Sequence, residues 1–238
     1  MRRVLLSMGI VGLVTGVLAP TPGYAQQSVN FYIGGFVPRS LDARANGDVI
    51  FNDLAFLTID PNNPNSIRKF DSAAVGGEWE FPLISHLDGS LGIGISSKSV
   101  GSTYTKLVNT DGSEILQTLK LRIVPFTALV RYLPLGRDAP IQPYIGAGVG
   151  VLSWRYSETG AFVDSTDNSV FQGNFVGSGS TAGPVVIFGA TVPIGAWGIG
   201  FEGRYQSAVG NLPADQGFAG PKIDLGGFTY SATFKVRF

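Results

Sequence analysis

The chain predicts an all-β fold: an eight-stranded antiparallel up-and-down transmembrane β-barrel, preceded by a cleaved signal peptide. Three observations predict it. Period-two alternation of apolar and polar residues recurs from about residue 28 to the end of the 238-residue sequence, which marks strands with two unlike faces. The connections between these segments alternate in length, as in barrels with turns on one side of a bilayer and loops on the other. Beyond residue 25 every apolar stretch is interrupted by Gly, Pro or a charge within a few residues. No segment there can cross as a helix, and only a closed barrel satisfies its backbone polar groups in hydrocarbon.

The N-terminus opens with Arg2 and Arg3, continues as an apolar run from Val4 to Leu18, and ends at Pro20 and Pro22 before Gly23, Tyr24 and Ala25. That is the tripartite pattern of a secretory leader, and the run is short against the roughly 20 residues of a membrane helix. The expected division is a signal peptide at 1–25 and a barrel domain at 26–238. The first strand, 28–37, sets Val29, Phe31, Ile33 and Val37 against Asn30, Tyr32, Gly34 and Phe36. The second, 73–82, sets Ala73, Val75, Gly77, Trp79 and Phe81 against Ala74, Gly76, Glu78 and Glu80. The third, 90–107, turns Leu91, Ile93 and Ile95 one way and Gly92, Gly94, Ser96 and Lys98 the other.

The fourth, 115–133, turns Phe126, Ala128, Val130 and Tyr132 outward and Thr127 and Arg131 inward, which puts Lys120 and Arg122 on the outward parity. Either these two lie above the hydrocarbon or Pro125 marks a bulge; the residues leave both open. Strands at 142–156, 184–193, 197–207 and 224–238 follow. In the seventh, Trp197, Ile199, Phe201, Gly203 and Tyr205 oppose Gly198, Gly200, Glu202, Arg204 and Gln206. Its two end aromatics lie about 20 Å apart at ordinary strand rise and tilt, near the height of a barrel's apolar band. The last strand opposes Phe228, Tyr230, Ala232, Phe234, Val236 and Phe238 to Thr229, Ser231, Thr233, Lys235 and Arg237. A water-soluble barrel would carry its charges outside, whereas here they share a face with Gly and the other face is aromatic and aliphatic.

Charged residues are only 14 %, the formal net charge is zero and there is no Cys; mean hydropathy is +0.22. These values exclude disulfides, thiol chemistry and an N-terminal lipid anchor and give no nucleic-acid footprint. No cofactor or metal motif is present. The Gly146, Gly148, Gly150 run lacks the spacing and the following helix of a dinucleotide loop. The Asp60–Asn65 cluster lacks the spacing of a calcium loop. His86, the single histidine, falls in a predicted short turn.

The segment from Tyr230 through Phe234 and Val236 to Phe238 resembles the terminal signature of bacterial outer-membrane barrels, and the run from Pro143 to Gly150 resembles a strand of small OmpA/OmpX-type barrels. The resemblance covers most of 28–238. It implies residence in the outer membrane with both termini periplasmic, contact with outer-membrane lipid, and recognition of the final Phe238 by the barrel-assembly machinery, with periplasmic chaperones during biogenesis. It implies no reaction, and the chain is expected not to be an enzyme.

An eight-stranded barrel is just wide enough for side chains to fill. Inward Glu78, Glu80, Lys98, Arg131, Glu202, Arg204, Lys235 and Arg237 are therefore expected to form a polar lumen network, with a narrow channel for small or apolar solutes as the alternative and a lipid-modifying enzyme as a more distant one. Trp79, Tyr132, Trp197 and Tyr205 are expected in aromatic girdles. Loops at 38–72, 108–114 and 157–183 are expected to meet an extracellular ligand or protein, the Asp111-Gly112 tip by strand addition. Within loop 38–72, Phe51, Leu54, Ala55 and Leu57 form one face of a short helix over the barrel mouth, or else the loop extends the wall as a hairpin.

Overall fold

The computed structural model describes residues 27–59, 66–164 and 166–238. The leader at 1–25 and the Asp60–Asn65 cluster lie outside them. Eight long strands run in chain order: β1 (Ser28–Pro38), β2 (Ser72–Ile84), β3 (Leu87–Val108), β4 (Glu114–Tyr132), β5 (Gln142–Val163), β6 (Val170–Ile194), β7 (Trp197–Gln206) and β8 (Gly227–Arg237). Each pairs antiparallel with the next, and β8 pairs back onto β1 from Arg237 opposite Ser28 to Gly227 opposite Pro38. The sheet closes with no open edge at the seam, and Gln27 and Phe238 exchange backbone hydrogen bonds there.

The outer face is bare and apolar. Phe31, Ile33, Leu91, Ile93, Phe126, Val130, Ile145, Val149, Phe188, Ile199, Phe201 and Phe234 are all exposed on it. Lys120, Arg122 and Arg155 stand exposed above this belt, with Arg122 opposite Arg155 in the ladder. Pro125 does not shift the strand. Ile93 pairs with Phe126 and Ser96 with Ile123 in the same register, and between them the Gly94 and Ile95 pairings drop out, beside Pro125, which has no N–H to give. The outward parity of Lys120 and Arg122 is therefore real, and they lie above the apolar band.

The wall is uneven. β3 to β6 are 19 to 25 residues long, while β1, β2, β7 and β8 are 10 to 13. The segment 157–183 is thus not a loop: Ser157 to Val163 pair with Val170 to Val176, and the open turn is confined to the tip. Its Gly-, Ser- and Asn-rich composition weakens the alternation by which a strand is read. The Asn109–Ser113 tip does turn as expected, with Gly112 at φ +82°, a left-handed conformation that suits glycine.

The tall strands make a cup above the belt, and among the described residues 39–59, 66–71 and 207–226 fill its low side. The helix α1 (Val49–Phe56) forms in the first of them, capped by Asp48, whose carboxylate accepts from the Phe51 N–H at 2.9 Å. A residue with a short acidic side chain at this position satisfies an otherwise orphaned donor. Of the two arrangements left open for this segment the helix is the one present, but its buried face is Val49, Ile50 and Asp53, followed by Leu57. Phe51 and Ala55 point away. The apolar residues that the cup offers lie beneath Val49 and Ile50, so the helix rotates to bury those two. Leu57–Thr58 then pairs with Tyr104 and Thr103 of β3, and Val209–Asn211 pairs with Lys222–Asp224. Beneath them Val49, Ile50, Phe70, Leu119, Leu152, Trp154, Tyr156 and Ile223 form one buried core.

Candidate functional site

Two layers of the interior carry chemistry. The lower one sits inside the apolar belt. Inward positions on β2, β4, β7 and β8 bring Glu78 and Glu80, Arg131, Glu202 and Arg204, and Lys235 together. Arg131 donates to Glu80 at 2.6 Å, to Glu202 at 3.1 Å and to Glu78. Arg204 donates to Glu202 at 2.7 Å and to Glu78. Lys235 reaches Glu80 at 2.6 Å. All six are buried. Three carboxylates against three cations leave no net charge, and each charge gains the partner that makes burial tolerable. Tyr144 adds a hydrogen bond to Glu202 at 2.9 Å while its ring lies under the Arg131 guanidinium. Tyr32 takes the same place under Arg204. Gly76 and Gly94 make room for Tyr32, since a Cβ on either would overlap its ring or hydroxyl.

Two residues expected in this network are not in it. Lys98 is exposed. Across the ladder it faces Leu121, and the neighbouring inward pair is Val100 with Leu119, so its layer offers no carboxylate and its long stem carries the ammonium to water. Arg237 lies at the rim and donates to Gln142 at 2.9 Å. It borders a polar cavity of about 840 Å³ at the short-turn end, together with His86, which is exposed in its turn. Arg137 closes that end by donating to Asp88 at 2.8 Å and to the carbonyls of Ser85 and Leu87.

The expected girdle residues all meet the outside. Trp197 packs edge-on against Phe234, and Trp79 lies beside Phe81. These two and exposed Tyr132 mark the short-turn end. Of the four, Tyr205 marks the other, its ring tilted against Phe228 and its hydroxyl accepting from Arg39 at 2.7 Å. Tyr230, Phe234 and Phe238 are exposed and Val236 half-buried along the outer face of the last strand.

The upper layer was not anticipated. Asp48 is a hub: it receives Arg44 Nε at 2.6 Å and the Asp224 N–H at 2.6 Å as well as the helix cap. Asp224 in turn receives Arg39 at 3.1 Å and the Ala45 N–H at 2.9 Å, which ties the two inserted segments together. One turn along α1, Asp53 accepts from the Tyr156 hydroxyl at 2.7 Å and shares a hydrogen bond with Glu158. Both lie above the apolar belt, Asp53 on the inserted helix and Glu158 three residues past outward Arg155. Burial pushes the Asp53 carboxyl up to about 7. Burial, and then the neighbouring Asp53, push Glu158 up to about 9. The pair therefore holds a proton near neutral pH. Glu158 has the same parity as Leu152, Trp154 and Tyr156. Continuing that alternation two residues further was the sequence signal for it.

Asp53 and Glu158 line a cavity of about 510 Å³ at the long-strand end. Between the two cavities, the small void beside Tyr32, Phe36 and Arg204 measures about 10 Å³, room for about one water. Among the described residues no group of three or more His, Cys, Asp or Glu is placed to hold a metal ion.

No family model and no curated protein sequence matches the chain. Solved structures similar to it are small outer-membrane barrels. Neisserial surface protein A shares 12 % identity, with 90 % of this chain and 96 % of that one covered and a TM-score of 0.45. The outer membrane protein AlkL shares 16 %, covering 92 % and 94 %, at 0.43. Ail, the attachment invasion locus protein of Yersinia pestis, shares 10 %, covering 91 % and 100 %, at 0.43.

Proposed function

We propose that the protein is a non-conducting outer-membrane barrel, without enzymatic activity, that works through surface interaction at its tall end. The short turns and both termini then lie in the periplasm, and the cup formed by β3 to β6, α1 and residues 207–226 faces the outside. Lipid covers the apolar belt, and the barrel-assembly machinery and periplasmic chaperones are its partners during biogenesis.

The observation that carries this reading is the lumen: Glu78, Glu80, Glu202, Arg131, Arg204 and Lys235 form ion pairs across it, and an apolar core lies above them. Removing one partner of such a buried set costs about 3–5 kcal/mol, so the network resists opening. Opposite the cup, His86 lies in a short turn, where it serves no surface reaction.

Planar-bilayer recording tests the proposal. The purified barrel is expected to give no discrete single-channel steps. Reproducible steps that vanish on Arg131→Gln or Glu202→Gln would overturn it in favour of a narrow channel.

A further inference from the structure

We propose that the cavity at the tall end binds a small organic ammonium ion with an apolar body, held between aromatic walls and the Asp53–Glu158 pair. The proposal rests on the surface-interaction reading and names its ligand class.

The walls are Phe56, Tyr104, Phe162 and Phe175, with the Phe162 and Phe175 rings edge-to-face at 4.7 Å. Aromatic faces attract cations, more so where water is excluded. Among the described residues that line the cavity there are two carboxylates and no Lys or Arg. The lining therefore offers an anion no cationic side chain to pair with.

A separate observation points the same way. Gln117 lines the cavity, is only 4 % exposed, and has neither its amide nitrogen nor its amide oxygen partnered; Glu158, 5 % exposed, leaves Oε1 unpartnered. Buried polar groups without partners are costly, and both residues belong to a site whose other side is empty space. The Gln117 oxygen and Glu158 Oε1 are acceptors suited to the N–H donors of an ammonium group. The proton that Asp53 and Glu158 hold between them is the charge that the ammonium replaces on entry, with the proton leaving to solvent. The volume suits a compact ligand, within the range of ordinary small-molecule sites.

The test is calorimetric titration of the folded barrel in uncharged detergent with phenethylammonium chloride and, in parallel, with 2-phenylethanol. The ammonium is expected to bind saturably at one site, with the alcohol weaker by about tenfold or more. Glu158→Gln is expected to weaken the ammonium by a similar factor and leave the alcohol unchanged. Phe56→Ala, at a position 65 % exposed on which the core does not rest, is expected to weaken both and remains decisive if Glu158→Gln does not fold. Equal binding of the two probes, no saturable binding of the ammonium, or ammonium affinity indifferent to both substitutions would overturn the proposal. Channel steps in the bilayer experiment would remove the non-conducting reading and leave this titration standing. A flat titration with a silent bilayer would remove the ligand site alone.

Discussion

Glu158 is a buried carboxylate with no cation beside it to offset that burial. It is buried against Asp53, with Tyr156 and the Asp48 carboxylate adding to the field around that acid. Both acids have folded pKa values raised above those of an unfolded chain. The folded state therefore binds more protons than the unfolded one from the ordinary carboxylate range up to about 9, and stability is highest below that window and falls as pH rises through it. Urea unfolding in uncharged detergent should show a lower midpoint at pH 9 than at pH 5. Glu158→Gln should flatten that difference by removing one of the two titrating groups. A wild-type midpoint that rises over this range, or a slope unchanged by the substitution, would count against the shared proton. Lys98 teaches the converse at the same scale. Its parity placed it inward, but it has no carboxylate in its layer and stays in water.

At the scale of elements, buried charge ties the inserted segments together beside their short strand pairings and the apolar core. Asp48 caps α1, receives Arg44 and holds the Asp224 backbone. Asp48→Ala would strip the cap and leave Arg44, nearly fully buried, without its carboxylate. A loss of about 3–5 kcal/mol is expected, concentrated in the 39–58 segment. Limited proteolysis should show early cleavage there while the strands persist. Uniform resistance would mean that apolar packing of Val49 and Ile50 suffices alone. The strand pattern was legible wherever the alternating residues were large, and it faded where β5 and β6 rise above the belt. There Gly173, Gly177 and Gly179 stand at inward-ladder positions opposite Gly160, Tyr156 and Trp154, and small residues carry no hydrophobic signal.

For the molecule as a whole, the decisive feature is that the bulk of its exposed large side chains form one belt. A patch of that extent on a protein in water would drive association. The barrel should keep its folded, heat-modifiable form in detergent or lipid and precipitate when detergent is removed. A monodisperse folded species in plain buffer would contradict the membrane assignment. Six of the eight residues expected to line the lumen meet in one network because closure of the sheet carries β2, β4, β7 and β8 to a common level. The parity of each was visible in its strand, but the level was not.

The sequence alone determined the eight-strand alternation, which face meets oil, and which end carries the short turns, because each follows from local periodicity and turn chemistry. Only the tertiary structure decided that α1 packs on Val49 and Ile50, that the lumen charges neutralise one another, and that Asp53 meets Glu158 across a hundred residues of chain. Those contacts depend on barrel stagger and on how the inserted segments settle into the cup, and these are set by the sum of packing over the closed sheet rather than by any short stretch of residues.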